Sequence, residues 1–400
     1  MTRAPIRIAL IPLLAFAAAA TGAAYTLNYA IPSAGGCPVP TTISLAAPIP
    51  RQWSTSLPVS PQIIFTAAAP GTSQQISEIG QTISAAYAAW TGVSGTEISA
   101  GTFPGALGPL NETSTQSACG SDQGTGVTGT NTICFDESSA AFAPGVLAFT
   151  RVFVATAPGE TLGSVTSSFA GQILEADILF RNDGQATFAT PEALANAPNS
   201  YDLESILIHE LGHTFGLEHS PIWRAAMAPF APPPGTYWGP RPTPAAPDAP
   251  LRDDDRTGIR ALYPDPNDTT DIGIITGRVV PANPLALSGF AATAAGEYVT
   301  GIFGAHVVAV DAQTGQVVAG ALSGWSCASP TAAPVFDGTY QIDRLPLGRS
   351  YNLYIEPLDG AITPADIGGN GLSPCRSSGS TPCSAPPVNT DFVARVKSSK

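Results

Sequence analysis

Between Ile76 and Trp90 the apolar side chains Ile76, Ile79, Ile83, Tyr87 and Trp90 recur in steps of three and four. That spacing puts them on one face of a helix, with Thr72 or Ser73 available as its cap. Residues 63–65, 146–154 and 176–180 are short runs rich in β-branched and aromatic side chains and read as strands. A second helix is expected over 202–214, capped by Asn199 or Ser200, and a third over 256–263, stopped by Pro264. The stretches between them, 112–132 and 231–250, are rich in Gly, Ser, Thr, Pro and Ala and read as loop and coil.

After the polar, turn-forming run 264–271 the texture changes. Short β-type runs at 272–280, 305–310, 316–322, 339–342 and 351–355 alternate with turns carrying Asp311, Gly315, Asp337 and Gly338. Many short strands at regular spacing predict a small β-sandwich. Phe392 to Val396 reads as one more strand at the end of a Gly/Ser/Pro-rich tail.

Arg3 and Arg7 precede an apolar run over 8–20 and small residues to Ala24, the pattern of a cleaved signal peptide. The expected organisation is a signal peptide (1–24), an extended lead-in (25–50), a main domain (51–264), a linker (265–271), a β-sandwich (272–358) and a tail (359–400). The fold class is α+β, followed by an all-β module. No stretch reaches the apolar length of a membrane span.

Seventeen basic against 30 acidic residues give a net charge of −13. The two lysines, Lys397 and Lys400, lie at the extreme C-terminus, so no basic patch for nucleic acid or an anionic membrane can be built. Six cysteines in a secreted chain suggest up to three disulfides. Cys119 and Cys134 could close the 112–132 loop, Cys375 and Cys383 could staple the tail, and Cys37 is open to a disulfide or a free thiol.

The chemistry concentrates at His209-Glu210-Leu-Gly-His213-Thr-Phe-Gly216-Leu-Glu-His219, which holds three of the chain's four histidines. Residues i and i+4 share a helix face, so His209 and His213 can aim imidazoles at one ion. Glu210 points beside that ion and is placed to take a proton from its water. Gly216 can adopt positive φ, ending the helix and letting His219 return as third ligand. Three histidines leave a zinc coordination position open, as catalytic sites do.

This H-E-x-x-H-x-x-G-x-x-H pattern resembles the metzincin zinc endopeptidases, and more closely the matrixins. The resemblance implies a methionine turn, and Met227 in Ala225-Ala226-Met227-Ala228-Pro229 is the only methionine besides the initiator. It spans roughly 50–264 and includes Glu175 to Phe180 before the zinc helix, Gly145 to Thr150 as substrate-side strand, Ser220, and Asp253 to Tyr263 as closing helix. The implied fold is a mixed twisted sheet with long helices and zinc in the cleft.

The implied activity is a secreted, extracellular zinc metalloendopeptidase. Its metal ligands are His209, His213 and His219, its base is Glu210, and it works as a monomer on protein or peptide substrates. The second, structural zinc of animal matrixins is not expected, because only His306 remains outside the motif. Calcium is possible, with Asp177, Asp183 and Asp202 available but no defined loop pattern. Residues 272–357 resemble carboxypeptidase regulatory-like, transthyretin-like sandwiches, in which His306 reads as structural and Asp311 and Asp337 as turn residues. The alternatives are a non-catalytic adhesion protein, against which the intact Glu210 argues, and a zinc hydrolase of non-protein amides such as cell-wall peptides.

Overall fold

The computed structural model describes residues 25–30, 32–33, 36–43, 62–64, 73–98, 112–113, 132–137, 142–162, 165–181, 183–282, 301–329, 331–332, 334–367 and 388–398. The signal-peptide segment, Cys119, Cys375 and Cys383 lie outside them, as does the side chain of Cys134. No helix among the described residues is long and apolar enough to cross a membrane.

The lead-in forms a small antiparallel pair, β1 (Tyr29–Ala30) with β2 (Val39–Pro40). The main sheet collects β3 (Gln62–Ile64), β4 (Glu112–Thr113), β5 (Thr132–Glu137), β6 (Ala148–Val154) and β9 (Ile173–Arg181), in the order β4-β3-β5-β9-β6. Its strands run parallel except β6, which pairs antiparallel with β9 and forms one edge. A short hairpin, β7 (Thr161–Leu162) with β8 (Val165–Thr166), lies between them in sequence, and β10 (Phe188–Ala189) pairs with β11 (Tyr201–Asp202). Strand β9 is buried along its whole length, as expected of a strand covered on both faces.

Helix α1 (Ser73–Thr91) lies where the spacing predicts it, with Ile83, Tyr87 and Trp90 in the core. The indole Nε1 of Trp90 donates to the carbonyl of Ile208, 2.8 Å away, tying α1 to the helix of the histidines. After the short α2 (Pro191–Leu194) comes that helix, α3 (Leu203–Thr214). Its cap is Asp202, whose side chain accepts from Ser205 N, rather than Asn199 or Ser200. Helix α4 (Asp253–Leu262) starts three residues earlier than 256. Asp253, Asp254 and Asp255 form its first turn, where negative charge faces the positive end of the helix dipole.

The C-terminal region has two antiparallel sheets. One is β12 (Gly273–Arg278) with β15 (Thr339–Leu345). The other runs β14-β13-β16-β17, from β13 (His306–Asp311), β14 (Val317–Leu322), β16 (Tyr351–Glu356) and β17 (Arg395–Ser398). The last strand sits three residues beyond the expected start at 392. Val307, Ala309, Val318, Tyr340 and Ile342 share its core. Asp311 and Asp337 serve turns, accepting main-chain N–H groups from Gln313 and Thr339.

The two halves share a core as well. Tyr29 meets the Trp325 ring edge-on at 5.4 Å, and Phe303, Trp325 and Phe336 join the cluster of α1, α3 and β9. A Cys37–Cys327 disulfide, 290 residues apart in sequence, links the lead-in to the connection between β14 and β15. The described residues of the expected lead-in therefore lie against the body of the protein, with Tyr25, Leu27, Tyr29 and Ile43 buried. The beginning of the tail is folded too, and contains α5 (Pro364–Ile367).

Candidate metal centre

Helix α3 runs between α1 and the sheet, and the side chains of Leu203, Ile206, Leu207 and Leu211 are buried. Within it only His209 and His213 are partly open to solvent, both toward a cleft of about 750 Å³. Gly216 follows the helix with φ +97°, and a Cβ there would strike the carbonyl oxygen of Thr41 in the lead-in. The chain then turns back. Leu27 bridges Leu217 antiparallel, Asn28 N donates to Gly216 O at 2.9 Å, and Glu218 N to Thr26 O at 2.6 Å. His219 arrives beside the other two, its carbonyl accepting from the Thr26 hydroxyl.

One ring nitrogen from each of the three histidines comes within 4.8 Å of the others. The opposite ring nitrogens are all anchored. His209 Nδ1 lies 2.8 Å from Ala226 O, His213 Nδ1 2.8 Å from Leu217 O, and His219 Nδ1 2.6 Å from Asp366 O. A carbonyl only accepts, so each Nδ1 carries the proton and each Nε2 keeps a lone pair. His209 Nε2 and His213 Nε2 stand 3.2 Å apart. Two lone pairs facing at that distance repel unless a cation lies between them.

Burial drives the pKa of all three imidazoles down, His209 to about 3, with the neighbouring histidines adding to the shift for His209 and His213. They are neutral at pH 7, the form a metal requires. The donor set, its protonation and its convergence fit zinc, and the open side of the triad faces the cleft.

Glu210 is buried on the cleft floor and accepts from Thr150 Oγ1, of β6, at 2.6 Å. Burial pushes its carboxyl up to about 7, opposed by the Thr150 hydrogen bond. Met227 lies directly under α3. A Cβ on Gly212 would overlap its sulfur and crowd Trp90, so glycine is what lets the methionine turn approach. Asp255 holds that turn, accepting from Ala226 N at 2.8 Å and Met227 N at 3.1 Å. Asp254 accepts from Ser220 Oγ at 2.6 Å and from Gly320 N of β14 at 3.2 Å.

Thr150, Asp255, Thr26 and Asp366 join the site without being among the residues the sequence predicts for it. Asp255 carried a signal in its acidic helix start and Thr150 in its strand; Thr26 and Asp366 carried none. The three candidate calcium residues are engaged separately: Asp202 caps α3 and pairs with Arg241, Asp183 pairs with Arg181, and Asp177 is buried in β9. Among the described residues the histidine triad is the one group of three or more with metal-ligand spacing.

Residues 156–264 match the family model of the matrixins. The matched segment runs from just after β6 to the end of α4 and contains all three histidines and Met227, so the chain carries a matrixin-like, metallopeptidase-type domain of α+β class. No curated protein matches the chain.

Proposed function

We propose that the protein is a secreted zinc-dependent endopeptidase in which His209, His213 and His219 hold the zinc and Glu210 is the general base. The observation that carries this reading is the convergence of three Nε2 atoms, each imaged by an anchored Nδ1, beside a buried carboxylate at the floor of a cleft. The matrixin match supports peptidase chemistry at that site. In the same reading residues 1–24 direct secretion, 51–264 form the catalytic domain and 272–358 a carboxypeptidase regulatory-like sandwich.

Bound zinc would supply Lewis acidity, acidifying a water and polarising the scissile carbonyl. The chain's own residues do the rest. Thr150 engages one oxygen of Glu210, and the other takes the proton and returns it to the leaving amine. Strand β6 pairs on one side with β9, and its residues line the cleft. An extended peptide would add along that edge through main-chain hydrogen bonds. Residues 229–234 and Trp238 also line the cleft and would contact its side chains.

The test is digestion of a mixed peptide library by the purified chain beside Glu210→Ala. Removing the base is expected to slow cleavage by about 10²–10⁴-fold with zinc content unchanged. Equal cleavage by both proteins would contradict the reading.

A further inference from the structure

His209 and His213 find their Nδ1 acceptors in or next to their own motif. His219 does not: its acceptor is the main-chain oxygen of Asp366, 147 residues further on. Asp366 lies in α5, beyond the last long strand of the C-terminal region.

The carbonyl is firmly held. The Asp366 carboxylate accepts from Thr363 N at 2.8 Å and Thr363 Oγ1 at 2.6 Å, while Asp366 N donates to Thr363 O at 3.0 Å. These bonds close a turn around the residue. On either side Leu358, Ile362 and Ile367 are buried with Leu322 of β14 in an apolar cluster of their own. The carbonyl that meets His219 is thus rooted in the C-terminal sheet.

A carbonyl accepting from Nδ1–H fixes both the tautomer and the ring orientation of a metal-binding imidazole. We propose that segment 358–367 is a positioning element of the zinc site, and that the C-terminal module is therefore required for tight metal binding. Asp366 acts through His219 and touches neither metal nor substrate. This rests on the zinc reading above.

The experiment measures zinc affinity of the full chain by chelator competition, together with the melting temperature of the metal-free protein. Asp366→Ala opens the turn and is expected to weaken zinc binding about 10-fold or more. Asp366→Asn keeps a side-chain acceptor for Thr363 and is expected to bind within about twofold of wild type, as a hydrogen-bonded turn requires. Metal-free melting of both is expected to match wild type. Should Asp366→Ala not fold, Thr363→Ala removes one of the two turn bonds, and a smaller loss of affinity is expected. Wild-type affinity in Asp366→Ala, or in Thr363→Ala where that variant stands in, would overturn the proposal. So would an equal loss in Asp366→Asn. A wild-type chain that binds no zinc would overturn the zinc reading itself.

Discussion

His209 and His213 are placed by one helix, whereas His219 is placed by two distant parts of the chain. The first pair needs only the i, i+4 geometry of α3, and their Nδ1 acceptors lie 17 and 4 residues away. His219 is gripped at its main chain by Thr26, 193 residues before it, and at its ring by Asp366, 147 residues after it. Those two grips are themselves joined, because the disulfide ties the lead-in to the C-terminal region. The triad is therefore local in two of its imidazoles and dependent on the whole tertiary structure in the third.

The largest expected effect comes from cutting that tie. Replacing Cys37 and Cys327 together by Ser should cost about 5 kcal/mol in urea unfolding, the upper end for a disulfide, since the closed loop is very long. A loss under about 1 kcal/mol would mean that the link constrains the unfolded chain far less than loop entropy implies. A smaller effect is expected at the start of α3. Arg241 pairs with Asp202 and, at 2.5 Å, with Glu204 at the start of α3, stacked 3.9 Å from the Tyr237 ring. Arg241→Ala leaves two buried carboxylates unpaired and should cost about 3 kcal/mol, the low end for a broken buried pair because the guanidinium is 30% exposed. A thermal melt within error of wild type would show that α3 does not depend on it.

Smaller is Gly212→Ala. The added methyl meets Met227 and Trp90, an overpacking penalty of about 1–3 kcal/mol. Helix propensity returns about 1 kcal/mol. A net loss is expected, and a net gain in melting temperature would mean the methionine turn is loose.

The last effect concerns pH. Burial, with Asp255 beside it, pushes Asp254 up to about 7 from 3.8. The folded chain then holds a proton that the unfolded chain has released, so this group's stabilising contribution is lost as pH rises from about 4 to 7. Asp254→Asn keeps partners for Ser220 and Gly320 and should flatten that decline in unfolding measured across the range. An unchanged slope would assign the decline to other groups.

The same division explains what the sequence made legible. Helix α3, α1 and the histidine spacing rest on short periods and were readable directly. Strand β5 begins at the last residue of the Gly/Ser/Thr-rich stretch 112–132, and the short alternation of Ile133 and Phe135 is a weak signal beside it. In the lead-in, Tyr25, Leu27 and Tyr29 alternate with Thr26 and Asn28, a period-two signal outweighed by the surrounding prolines. Asn199 and Ser200, also good capping residues just before it, mask Asp202 as the cap. Nothing local marks Asp366: its role comes from a main-chain oxygen, which every residue has.

In the proposed site three imidazoles, one of them held from outside the motif, bind one zinc ion. X-ray absorption at the zinc edge of the loaded full chain tests it most directly. One zinc per chain, with three imidazole nitrogens at about 2.0–2.1 Å and no sulfur, is the expected result. Two imidazoles, or a sulfur neighbour at about 2.3 Å, would contradict it.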